Sequence, residues 1–119
     1  MLEPQSGFEV VAEAANGLEA LWQAKDLQPE LILMDIDLPG LNGLEAARRI
    51  SVLSAKSKIL FTSEDDSAEA AQKAFDAGAL GYLIKSDAGT ELGVALKDVV
   101  AGRRYVSRRL ARHKFRYRD

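Results

Sequence analysis

At 119 residues, with 47% apolar and 29% charged residues, the chain has the make-up of one folded domain with a substantial core. It lacks cysteine, which excludes a disulfide framework and any thiolate metal site, and no apolar run approaches the roughly 18 residues of a membrane helix. The net charge of −2 conceals two unlike parts: residues 1–102 carry 8 Lys/Arg against 17 Asp/Glu, and residues 103–119 carry 8 Lys/Arg against one Asp. An acidic body with a basic tail suggests two different roles.

Met1 to Gly7 has neither the basic nor the apolar stretch of a signal peptide, which makes the cytoplasm the expected compartment. Phe8 to Ala12 reads as a short strand. Asn16-Gly17 opens a helix, with Asn16 as a good N-cap. Leu18, Leu21 and Ala24 form its inward stripe, Trp22 lies at the margin, and Pro29 stops the pattern. Leu31-Ile32-Leu33-Met34-Asp35 is a continuous apolar run ending in a carboxylate, the signature of a buried parallel strand. Leu38-Pro39-Gly40 is a turn, with Pro presetting φ and Gly accepting φ > 0. A helix over 43–53 turns Leu44, Ala47, Ile50 and Leu53 inward and Arg48–Arg49 outward. Lys58 to Thr62 is the next buried strand, and 63–67 is polar loop. A helix over 67–77 ends at Gly78 as its C′ residue. Gly81 to Ile84 is a short strand ending at Lys85. A last helix over 90–101 carries Leu92, Leu96, Val99 and Val100 and ends at Gly102.

Strands alternating with helices imply an α/β fold, a parallel sheet with helices on both faces. In such a sheet the carboxyl ends of the strands share one edge, where ligand sites lie. Asp35, Ser63 (or Thr62) and Lys85 each end an apolar strand, so a carboxylate, a hydroxyl and an ammonium converge. That set suits phosphoryl chemistry. The carboxylate is a nucleophile toward phosphorus, the hydroxyl bonds a phosphoryl oxygen, and the ammonium neutralises its charge. Polar residues at strand ends are common because loops are polar; the joint occurrence, in this order, is what lifts these three above that background.

Four segments carry a family resemblance: Gly17-Leu18-Glu19-Ala20-Leu21; Leu33-Met34-Asp35-Ile36-Asp37-Leu38-Pro39-Gly40-Leu41-Asn42-Gly43-Leu44-Glu45; Lys58-Ile59-Leu60-Phe61; and Ala77-Gly78-Ala79-Leu80-Gly81-Tyr82-Leu83-Ile84-Lys85. Over roughly residues 7–107 the chain resembles the response-regulator receiver domains of two-component signalling, of the LuxR/FixJ-like type. The resemblance implies a flavodoxin-like doubly wound sheet and a phosphorelay role. It implies that Asp35 is the phosphoacceptor, fed by a sensor histidine kinase, and that Lys85 pairs with the phosphoryl group. Ser63 matches the family's hydroxyl in an ungapped alignment, with Thr62 second choice. Mg²⁺ would be held by Asp35 and the backbone carbonyl of Asp37, and Tyr82 would be the switch aromatic. The resemblance implies a signalling protein and not an enzyme.

The resemblance lacks the family's first βα unit. In the family's strand order, 2-1-3-4-5, the absent strand is the central one, and the acidic pair that supplies much of the Mg²⁺ site goes with it. Three expectations follow. Mg²⁺ binding should be weakened or absent, two strands should be left with unpaired edges, and part of the apolar face of helix 90–101 should be bare. A truncation, a start codon upstream of Met1, a homodimer or a swapped partner strand would each accommodate this. The domain boundaries read as a receiver over 1–107, incomplete at its N-terminus, and a basic tail over 108–119. The tail suits nucleic acid only if a DNA-binding domain exists beyond this chain, and otherwise reads as a solvated end. Two further readings stand beside the receiver: a pseudo-receiver that binds partners without phosphorylation, and a haloacid-dehalogenase-like phosphatase built on Asp35-x-Asp37. The Leu38-Pro39 that follows Asp37 counts against the phosphatase.

Overall fold

The computed structural model describes residues 12–13, 17–36 and 42–117. In chain order the elements are β1 (Ala12–Glu13), α1 (Gly17–Leu27), β2 (Leu31–Asp35), α2 (Gly43–Leu53), β3 (Lys58–Ser63), α3 (Ala68–Asp76), β4 (Gly81–Ile84), a 3₁₀ turn (Lys85–Asp87), α4 (Ala88–Val100), β5 (Tyr105–Val106) and a second 3₁₀ turn (Arg108–Leu110). The five strands among the described residues run parallel in the order β1-β2-β3-β4-β5. Most of the strand expected at 8–12, the Asn16 cap, Asp37 and the Leu38-Pro39-Gly40 turn lie outside the described residues.

The elements form where local chemistry directs them. Asn42 caps α2, its Oδ1 accepting from the backbone N–H of Leu44 at 2.8 Å and of Glu45 at 3.3 Å. Ser67 does the same for α3 through Ala70 N–H, 3.1 Å. Gly78 follows α3 at φ +106°, a conformation that L side chains rarely adopt. Gly43 allows α2 to start against β2, since a Cβ there would lie 2.8 Å from the Ile36 carbonyl oxygen.

Strand alternation sorts the core into two layers. Ile32, Met34, Ile59, Phe61, Tyr82 and Ile84 pack against α1, α2 and α3. Leu31, Leu60 and Leu83 pack against Ala95, Leu96 and Val99 of α4. The first three crossovers therefore pass over one face and the fourth over the other, while the strand order advances in one direction. The β4–α4–β5 crossover is thus opposite in hand to the other three, an arrangement that parallel crossovers in one sheet rarely adopt.

Several expectations are corrected. No gap opens at the middle of the sheet, because β1 pairs directly with β2 (Ala12 with Ile32, Glu13 with Leu33), giving its amides and carbonyls the partners that buried backbone requires. The apolar stripe of α4 is not bare, with Ala95, Leu96 and Val99 buried on the sheet and Val94 left exposed. Leu18 and Leu53 are exposed. In α1 the inward face is centred on Ala20, Leu21 and Ala24, which turns Leu18 outward, and Trp22 is 63% exposed. β5 pairs along β4, and Tyr82 of β4 is fully buried.

The described part of the tail is docked rather than solvated. Leu110 is buried, and Phe115 stacks edge-on against the buried Phe75 of α3 at 5.3 Å between ring centroids. Tyr117 leans on the same ring at 4.9 Å, and the Arg104 guanidinium lies 4.3 Å from the Tyr117 centroid. Gln72 grips the main chain of Arg116 twice, its Nε2 donating to the carbonyl at 2.8 Å and its Oε1 accepting the N–H at 2.9 Å.

Candidate phosphoryl-acceptor site

β2 delivers Asp35 to the carboxyl edge of the sheet, and β4 ends one residue before Lys85. Between them lies β3, whose Thr62 is the register partner of Asp35 and whose Ser63 is that of Ile84. The Ile36 N–H donates to the Thr62 carbonyl at 2.9 Å, which fixes the main chain just past Asp35. Across this strand the Lys85 ammonium reaches Asp35 Oδ2 at 2.5 Å, with both side chains about one-third exposed (37% and 30%). Two of the three groups expected to converge are thus in direct contact, from strands that do not pair with each other.

The two candidate hydroxyls are on opposite faces. Alternation places Thr62 on the α4 face, with Leu60 and Leu83, as it places Asp35 with Leu31 and Leu33. Ser63 follows Ile59 and Phe61 toward the three-helix face. There it is buried, its Oγ accepts the Asp65 N–H at 3.1 Å, and it lines a cavity of about 200 Å³ with Ile36, Asn42, Leu44, Asp65, Ala70 and Tyr82. Tyr82 points inward and its hydroxyl donates to the Asp65 carbonyl at 2.7 Å. Hydrogen bonds from the Ser67 main chain and side chain hold the exposed Asp65 carboxyl below its ordinary pKa.

Asp37 lies outside the described residues. Among the described residues no group of three or more His, Cys, Asp or Glu side chains is placed to hold a metal ion. Mg²⁺ keeps several waters and takes one or two carboxylates, so Asp35 meets the minimum of its donor chemistry.

Sequence reasoning missed the residues just beyond Lys85. Glu91 of α4 is 6% exposed, and its Oε1 accepts both the Tyr105 hydroxyl and the Arg108 N–H, the latter at 3.0 Å. Burial first, and then this bond to Glu91, push the Tyr105 hydroxyl well above its ordinary pKa. Asp87 pairs with Arg109 at 2.5 Å, a bond that raises the guanidinium's pKa.

The fold is a parallel α/β sheet with a carboxylate and an ammonium paired at its carboxyl edge, the edge where open α/β sheets place their ligand sites. The family model for the response regulator receiver domain matches residues 1–97. The transcriptional activator protein ExaE of Pseudomonas putida is 41% identical over 101 residues, covering 85% of this chain and 47% of that protein. A two-component response regulator of the LuxR family from Aurantimonas sp. SI85-9A1 superposes with a TM-score of 0.84 at 39% identity, covering 92% of this chain and 79% of that one. A response regulator from Burkholderia pseudomallei, solved with a phosphorylated aspartic acid, a calcium ion and citrate, gives a TM-score of 0.65 at 28% identity over 81% of this chain and 56% of that one.

The chain belongs to the response regulator receiver domain family and is a module of two-component phosphorelay signal transduction. Proteins of this family are mainly signalling proteins, and the match does not favour the phosphatase and pseudo-receiver readings. The chain spans about half the length of the curated relatives it matches. Among the described residues no helix is long and apolar enough to cross a membrane.

Proposed function

We propose that Asp35 is the phosphoacceptor of this receiver. A carboxylate oxygen of Asp35 attacks phosphorus, the bond from phosphorus to the donor's nitrogen or oxygen breaks, and the electron pair leaves with the donor. Lys85 neutralises the phosphoryl oxygens. Ser63 supplies the hydroxyl, with Thr62 as second choice, and Tyr82 is the switch aromatic whose position is read by partners. The observation that carries this reading is the Lys85 ammonium 2.5 Å from Asp35 at the carboxyl edge of the sheet. The cavity shared by Ser63 and Tyr82 supports their assignment as a coupled pair.

Mg²⁺ is assigned to the Asp35 carboxylate and the Asp37 backbone carbonyl; when bound, it would neutralise charge on the phosphoryl oxygens. Two protein ligands make for weak binding. The donor is a sensor histidine kinase in the cytoplasm, and a second copy is the partner for a homodimer or a strand exchange. Nucleic acid enters only through a DNA-binding domain carried outside these residues. We take residues 1–107 as the receiver unit and residues 108–119 as an appended basic tail. The test is intact mass after incubation with acetyl phosphate and Mg²⁺. The expected result is a gain of one phosphoryl group that Asp35→Asn abolishes; a wild-type chain that gains nothing would overturn the assignment and leave a non-phosphorylated interaction module.

A further inference from the structure

Lys85 leaves the sheet where the ladder between β4 and β5 ends. Along that ladder the Tyr105 N–H donates to the Leu80 carbonyl at 3.1 Å and the Ser107 N–H to the Tyr82 carbonyl at 3.0 Å. The next amide on β4 belongs to Ile84, the residue immediately before Lys85. A longer β5 would offer it a main-chain carbonyl, but the chain turns away at Ser107 (φ −47°, ψ 137°) into the turn Arg108–Leu110. The fully buried Ser107 hydroxyl replaces that carbonyl and accepts the Ile84 N–H at 2.8 Å.

The other flank of Lys85 is held from the same segment. Arg109 bonds Asp87 at 3.1 and 2.5 Å and reaches the Ser86 hydroxyl at 3.4 Å. Glu91 pins the intervening chain through Tyr105 and Arg108. Residues 107 and 109 therefore bracket the main chain of Lys85. The Arg109 contact is exposed, and such a bond contributes little. The Ser107–Ile84 bond is buried, and an unpaired amide there is costly.

We propose that Ser107 is a positioning residue for Lys85. It touches none of the reacting groups; its hydroxyl fixes Ile84 and so the place from which the ammonium meets Asp35 and the phosphoryl group that Asp35 accepts. This role rests on the reading of Asp35 and Lys85 given above. The test is the rate at which the 119-residue chain gains a phosphoryl group from acetyl phosphate and Mg²⁺, followed by intact mass, with thermal melts confirming that each variant is folded. Ser107→Ala should slow the gain about tenfold, since a misplacement on the order of 1 Å costs up to about a hundredfold. Ser107→Thr, which keeps the hydroxyl, should restore the rate. Ser107→Val, of the same shape as Thr but without the hydroxyl, should not, and this pair carries the comparison if Ser107→Ala does not fold. In a Lys85→Ala background, Ser107→Ala should add nothing further, because both act through one group. A Ser107→Ala rate equal to wild type, or an equal loss with and without Lys85, would overturn the positioning role alone. A wild-type chain that gains no phosphoryl group would overturn the reading of Asp35 and this role with it.

Discussion

The Asp35–Lys85 pair and the seam around Glu91 are assembled from similar polar groups and held in opposite ways. At the sheet edge a carboxylate and an ammonium meet about one-third exposed to water. At the seam a buried carboxylate accepts two bonds, beside a buried serine hydroxyl that accepts a third. An ion pair in partial contact with solvent contributes about 0–1 kcal/mol, so under the role proposed for Asp35 it is readily exchanged for contacts with an incoming phosphoryl group. A satisfied buried network is expensive to open. The part proposed to change partners is weakly held, and the part proposed to position it is sealed.

The difference between the two regions can be broken most sharply at Glu91. Glu91→Ala leaves the Tyr105 hydroxyl and the Arg108 N–H without their acceptor, and urea unfolding should show a loss of about 2–3 kcal/mol; Glu91→Gln, which retains an oxygen, should lose less. Alkaline pH attacks the same seam through Tyr105. Its folded pKa lies above the ordinary value of 10, so its contribution is fully present below about pH 10 and is lost as the pH rises beyond it, when the unfolded chain's tyrosine ionises first. Melts between about pH 9 and 11 should therefore show a steeper fall in wild type than in Tyr105→Phe. The smallest effect belongs to the sheet edge. Lys85→Ala should change stability by about 1 kcal/mol or less in the same urea measurement, and a larger loss would show that the two regions are held alike.

Much of the sheet edge was legible in the chain. The apolar run from Leu31 to Asp35 and the Asn42-Gly43 start of α2 are local signals, and the structure keeps both. The seam was not, for physical reasons. β5 is two residues long, too short for any alternation to register. The charges of the tail mask the apolar residues, Leu110 and Phe115, that dock it. Glu91 did leave a trace: it precedes Ala95 by four residues and Val99 by eight, which puts a carboxylate on the inward stripe of α4. The direct pairing of β1 with β2 depends on contacts between distant segments, which no local pattern encodes. The exposure of Leu18 follows from the face that Ala20 and Ala24 choose, and alanines give little periodic signal.

Gln72 holds the tail at Arg116 without regard to the side chain at that position. Its side-chain amide meets Arg116 as one peptide unit meets another in a sheet, donating to the carbonyl and accepting the N–H. Such a clamp reads the main chain alone. The side chain at position 116 is therefore free to drift to any residue but proline, which lacks the N–H, and the charge there can change while the tail's path over α3 stays the same.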